Sequence, residues 1–209
     1  MRINSHLNVL RHLDEIPMAQ HGYFTSAQAA KKGIKNYELA RAVSYGHIHR
    51  LDYGVYRVAG AGVDPHQELR VAWLRLAPAL TPRQRTRKPS LWVSHESAAS
   101  VLGLGVFSAE LPEFISTRRI QTRVKVRVRV RRRGLNHHEW LVRDGFAVTS
   151  PARTLADLAQ ANHDGGHLGR FAADAIATGL ATRDELQIVL GRHHDLGVLL
   201  ELADKSGEP

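Results

Sequence analysis

The sequence predicts an α+β fold in two parts, and three observations carry that expectation. Within the first sixty residues, two short helical stretches flank a glycine turn and lead into an alternating β-hairpin. Further on, residues 123–133 alternate valine with Arg or Lys, the period of a half-buried strand. The last sixty residues carry helix-start signals and apolar residues at helical spacing. A chain of 209 residues is long enough for one large unit or two small ones, each with its own core. The formal net charge is +9, divided as +4 over 1–59, +9 over 60–150 and −4 over 151–209. Cysteine is absent, which excludes disulfides, cysteine-based zinc sites, iron–sulfur clusters and thiol nucleophiles. No apolar run approaches the ~20 residues that span a bilayer. Met1 to Gln20 carries a helical apolar stripe where a secretion signal would carry a continuous apolar run, so a basic, cytoplasmic protein without membrane contact is expected.

The elements follow in order. Leu7, Leu10, Leu13 and Ile16 recur every third residue as the apolar edge of a first helix that stops at Pro17. Thr25, followed three residues later by Gln28, has capping-box spacing and starts a second helix near Ser26. That helix ends at Gly33, where a tight turn needs positive φ. Asn36 caps a third helix that runs to about Tyr45. At 100° per residue, Leu39, Ala40 and Val43 face the core while Tyr37, Arg41, Ser44 and Tyr45 face outward. Gly46 closes it. His47–Leu51 then alternates as a strand, Asp52-Tyr53-Gly54 turns, and Val55–Val58 returns. Helix, turn, helix and hairpin together make a winged helix-turn-helix. In that fold Lys35, Asn36, Tyr37, Arg41, Ser44 and Tyr45 would meet a major groove, with Arg50 and Arg57 of the wing on phosphates. A solvated helix face has the same composition; the hairpin that follows favours the groove. Ala59-Gly60-Ala61-Gly62 reads as a linker, dividing a DNA-binding part, 1–60, from an α+β part, 61–209.

In the second part, Asp64-Pro65 starts a helix to about Ala77, and Thr81–Pro89 reads as a polar, basic loop. Leu91–Val93 is a short buried strand, with a helix opening at Ser94 or His95. Glu113–Thr117 and Arg123–Arg133 read as neighbouring strands of an antiparallel or mixed sheet. In the latter, Arg123, Lys125, Arg127, Arg129 and Arg131 share one face, a continuous positive stripe. Three readings stay open: charge that discourages edge aggregation, a dock for an acidic protein partner, or a contact to nucleic-acid backbone. Ser150-Pro151 caps a helix on which Arg153 and Asp157 stand at i, i+4, the spacing of a surface ion pair. Glycines around His163-Asp164 and His167 suggest a loop. From Leu168 onward three short helices follow, one introduced by the capping box Thr182–Glu185.

No enzyme motif emerges. No carboxylate precedes a lysine by two positions, as nuclease metal sites require. There is no Asp-x-Asp pair after Gly-Ser, no phosphate-binding Gly-Lys loop and no dinucleotide fingerprint. The histidine pairs His47/His49, His137/His138, His163/His167 and His193/His194 lack the further ligands of a zinc motif. The expectation is a protein without catalytic residues, metal or cofactor.

Two runs, Gly22–Ala30 and Gly46–Arg57, resemble the N-terminal domain of AbiEi-family antitoxins, a group with MenA-type mycobacterial members. Ser94–Ala99 with Leu102-Gly103-Leu104, and Val148–Ala159, extend the likeness, which lies in order and spacing across residues 22–159. The resemblance implies a repressor that binds inverted repeats in its own operator DNA, paired with a nucleotidyltransferase-like toxin that the second part would contact. Two other readings remain: a stand-alone winged-helix regulator with a sensing domain, and a cryptic endonuclease.

Overall fold

The computed structural model describes Leu13, 16–191 and 194–206, so the expected first helix lies largely outside the described residues. The chain divides into two compact units, Met1–Lys88 with Gln121–Val124, and Pro89–Ile120 with Lys125–Pro209. The fold is α+β, as expected.

The first unit contains β1 (Tyr23–Thr25), α1 (Ser26–Lys31), α2 (Asn36–Ser44), β2 (Ile48–Asp52), β3 (Val55–Val58), α3 (Gln67–Leu76) and α4 (Pro82–Arg87). Its antiparallel sheet runs β1-β3-β2. The capping box at α1 is formed: the Thr25 N–H donates to Gln28 Oε1 at 2.9 Å, and the Gln28 N–H donates to Thr25 Oγ1 at 3.0 Å. Gly33 supplies the left-handed turn between α1 and α2, at φ 81°. Lys35, in place of Asn36, caps α2, and its N–H donates to Glu38 at 2.9 Å. The core gathers Leu13, Phe24, Ala29, Leu39, Ala42, Ile48 and Tyr56, with Val43 packed against it. Ala42 thus takes the core position expected for Ala40, which is exposed. Leu39, Ala42 and Val43 span about 100° of the helix, and Ala40 falls outside that arc.

The compact unit runs to Lys88, beyond the expected boundary at Gly60. The cause is polar. The chain after α3 presents carbonyls to the capped helix: Thr25 Oγ1 donates to Pro78, Gln28 Nε2 to Leu80 at 2.7 Å, and Lys31 Nζ to Ala79 at 2.6 Å. Arg75 of α3 pairs with Asp52 of β2 at 2.7 Å. Buried Arg70 meets buried Asp64 at 2.6 Å and lies over the Tyr23 ring. The expected loop at 81–89 is the helix α4, started by a second capping box from Thr81 and Gln84. From α4, buried Arg85 donates to the carbonyls of Trp73, Leu74 and Ala77, closing the C-terminal end of α3. Burial lowers its pKa to about 9.

The second unit contains β4 (Leu91–Val93), α5 (His95–Leu102), β5 (Glu113–Ser116), β6 (Arg127–Val130), β7 (Trp140–Arg143), β8 (Phe146–Thr149), α6 (Pro151–Gln160), α7 (Gly165–Ala177), α8 (Arg183–Leu190) and α9 (Leu196–Ser206). The sheet order is β6-β5-β4-β8-β7. The pairs β4/β8 and β5/β6 are parallel and the other two antiparallel, a mixed sheet. The hairpin β7–β8 turns on Asp144-Gly145, both at positive φ as a tight two-residue turn requires. Trp92, Ile115 and Ala147 pack with Leu135 and Trp140. Leu155, Leu158, Phe171 and Leu186 are fully buried. α7 starts at Gly165, where a loop was expected, because Asp164 accepts the Gly166 N–H at 2.8 Å. A side chain at Gly169 would run into the Leu199 carbonyl, so glycine is what lets α7 and α9 approach.

Candidate nucleic-acid interface

The outer face of α2 is built by its own periodicity. With Leu39, Ala42 and Val43 held in the core, Asn36, Tyr37, Ala40, Arg41, Ser44 and Tyr45 are left exposed, and Lys35 stands exposed at the cap. Tyr37 and Tyr45 expose more than half of their surface, unusual for aromatics in a helix with a core available. The Arg41 side chain makes no hydrogen bond or ion pair with the described residues. Ser44 differs: its hydroxyl donates to the Arg41 carbonyl at 2.8 Å and is turned back onto its helix.

The two wing arginines separate. Arg50 pairs across the sheet with Tyr56, on the face that carries the core, but it lies beyond the core and is exposed. Its guanidinium sits 5.9 Å from the ring of Tyr53 at the hairpin turn. Arg57 pairs with His49 and Tyr23, and strand alternation puts it on the opposite face from Tyr56. There its guanidinium lies 4.8 Å over the Tyr23 ring and donates to the Gly62 carbonyl. The same neighbourhood pushes the Tyr23 hydroxyl up to about 12, through burial and then the Asp64 carboxylate. Arg57 is therefore engaged within its unit, on the opposite face of the sheet from Arg50. Lys35, Asn36, Tyr37, Arg41, Tyr45 and Arg50 remain exposed. Tyr53, placed at the hairpin turn by the sequence but not named there as a surface residue, is exposed beside Arg50.

The expected positive stripe changes character. β6 is only four residues long, so Arg123 and Lys125 precede the strand. Arg127 pairs with Glu110 at 2.9 Å and lies 3.8 Å from Glu113; Arg129 meets Glu113 at 3.2 Å and Arg131 meets Glu139 at 3.4 Å. Carboxylates of the same unit balance the three arginines, and the continuous stripe read from alternation does not form. Arg123 and Lys125 are exposed and make no ion pair with the described residues. The Arg153–Asp157 pair forms, but within the protein: Asp157 Oδ1 accepts from Nε at 2.9 Å and Nη2 at 2.7 Å, while Nη1 reaches Glu139 at 2.7 Å. His163 lies 3.5 Å from Glu96, and both His163 and His167 meet the Phe107 ring edge-on. No three metal-ligating side chains converge among the described residues.

Fold and surface together define a winged helix-turn-helix unit, with a second helix whose polar aromatic face is open, joined to an α+β unit. Residues 13–59, within the first unit, match the family described as transcriptional regulator, AbiEi antitoxin. No curated protein matches the chain. A similar solved structure is that of the RV2827C protein from Mycobacterium tuberculosis, at 15% identity and a TM-score of 0.46, over 96% of this chain and 78% of that one. No described helix is long and apolar enough to cross a membrane.

Proposed function

We propose that this protein is a cytoplasmic, DNA-binding antitoxin that represses its own operon and neutralises a nucleotidyltransferase-like toxin, by binding and without catalysis. The observation that carries the reading is the open face of α2, with Tyr37, Arg41 and Tyr45 exposed in a domain that matches the AbiEi regulator family. Guanidinium and phenol groups on a helix of this kind suit base edges in a major groove, while Arg50 on the hairpin suits phosphate. Inverted repeats would be the operator, and the second unit would supply the contact to the toxin. Its exposed cation Lys125, at the entry to β6, is the part of the expected stripe in that unit still available for an acidic surface.

Two experiments test the two halves. In a mobility-shift titration, the full chain should bind DNA from upstream of its own gene at least a hundredfold tighter than a scrambled duplex. Equal affinity for both would sink the operator assignment. Co-expression with a nucleotidyltransferase encoded beside it should restore growth, and failure to do so would leave a regulator that is not an antitoxin.

A further inference from the structure

The second unit holds a cavity of about 370 Å³, lined in part by His95, Ile115, Arg129, Arg131, Arg153 and Asp157. That volume lies at the lower end of the range for small-molecule sites, about 300–1,000 Å³. Its wall is unusual in three respects.

Three guanidiniums share it, and most of their N–H groups are uncommitted. Each guanidinium carries five donors. Arg129 donates one hydrogen bond among the described residues, to Glu113 at 3.2 Å. Arg131 approaches Glu139 only at 3.4 Å and donates none to them. Arg153 is the opposite case, held by Glu139 and Asp157 as an anchored member of the group. The neighbouring carboxylates orient these arginines without using up their donors.

Asp157 is the second feature. Both of its Arg153 hydrogen bonds fall on Oδ1, and Oδ2 is buried without a partner. An unmatched buried carboxylate oxygen is costly, and it is relieved when something supplies a donor. Desolvation raises the Asp157 pKa accordingly. The third feature is His95, which is buried yet held in the left-handed region at φ 53°, with Nδ1 2.9 Å from Ser94 Oγ. Non-glycine residues persist in that conformation where their surroundings over-determine them, and they concentrate at ligand sites.

We propose that this cavity binds a small phosphomonoester of nucleotide size. The terminal oxygens would take the open donors of Arg129 and Arg131, and a hydroxyl or amino group of the ligand would donate to Asp157 Oδ2. Guanidinium forks match phosphate oxygens in pairs, and a phosphomonoester presents enough of them for more than one fork. The buried acceptor next to the arginines asks for a ligand that carries a donor as well as the anion. The site lies within the second unit and does not depend on the DNA-binding reading.

The test is isothermal titration of the full chain with adenosine 5′-monophosphate, adenosine and inorganic phosphate. Alongside these go a single-stranded octanucleotide with a 5′-phosphate and its 5′-hydroxyl form. The monophosphate should bind saturably, phosphate more weakly, and adenosine not at all. Arg131→Gln, at a half-exposed residue with one long contact, should keep the melting temperature and weaken binding at least tenfold; Arg129→Gln should do the same. Preference for the 5′-phosphorylated octanucleotide over its 5′-hydroxyl form, lost in the same variants and without monophosphate binding, would keep the phosphate site and name a nucleic-acid end as its source. Absence of saturable phosphate-dependent binding, or equal binding by both variants, would overturn the proposal.

Discussion

Arg41 and Arg50 are both exposed cations, yet their elements give them different expected roles. Arg41 projects from the middle of a helix face, where a bidentate contact to guanine is worth ~1–3 kcal/mol of discrimination. Arg41→Ala should therefore narrow the gap between operator and scrambled DNA. Arg50→Ala should weaken both duplexes alike and reduce the slope of log K against log salt by about one. Arg57→Ala should leave that slope unchanged and cost about 1 kcal/mol of stability, because its guanidinium packs on Tyr23 inside the unit. A salt titration of the three variants on both duplexes checks the binding effects, and chemical denaturation of Arg57→Ala checks the stability. An equal drop in slope for Arg57→Ala would put Arg57 back on the DNA side.

His95 makes a prediction in pH. Burial, then Arg129, lowers its pKa to about 4, against about 6.5 in the unfolded chain; Glu113 raises it, while Arg153 and His163 lower it further. Between those values the unfolded chain binds a proton that the folded chain refuses. His95 thus contributes stability that is complete above pH 6.5 and is lost as pH falls toward 4, by at most about 1.4 kcal/mol per pH unit. Asn tolerates the left-handed backbone, so His95→Asn should fold and flatten the stability profile across that window. Chemical denaturation at several pH values reads it directly; an unchanged slope would mean that His95 is already protonated in the folded state.

At the scale of elements, caps were legible and long contacts were not. The capping boxes at Thr25 and Thr182 stand in the sequence as a hydroxyl and a Gln or Glu three residues apart, and both form. Thr81-Pro82-Arg83-Gln84 carried the same signal, and its basic composition masked it. Asp144-Gly145 between Trp140–Arg143 and Phe146–Thr149 is a hairpin signal of equal strength. Gly169 shows the other case, because nothing local marks a glycine that lies against a carbonyl thirty residues later. Gly169→Ala should drive α7 from α9 and destabilise the chain by ~1–3 kcal/mol, read as a lower denaturation midpoint. Gly179→Ala, with open space around it but φ 69°, is the control for backbone strain alone.

At the scale of the molecule, the contacts of α1 with residues 78–80 tie the segment beyond the hairpin into the first unit. A fragment 1–60 lacks the carbonyls of Pro78, Ala79 and Leu80 that Thr25, Lys31 and Gln28 bond, as well as Arg75, the partner of Asp52. It should show little cooperative unfolding by circular dichroism. Fragment 1–88 should melt cooperatively and retain salt-sensitive DNA binding. If 1–60 melts as sharply as 1–88, the segment beyond the hairpin is dispensable.

The winged helix-turn-helix was readable from the sequence because each of its determinants is local: a cap three residues from its partner, a glycine with positive φ, a two-residue hairpin turn, and an apolar arc on one short helix. The exposed face of α2 followed from the same periodicity, apart from the exchange of Ala40 for Ala42. The state of the charges was left to the tertiary structure. Alternation put Arg127, Arg129 and Arg131 on one face of a strand, but only folding brought Glu110, Glu113 and Glu139 to meet them, and only the strand pairing of β3 turned Arg57 away from Arg50. A side chain's direction along one element is set by backbone geometry within a few residues. Its partner is set by which distant segments share the same space, and no spacing within the sequence encodes that.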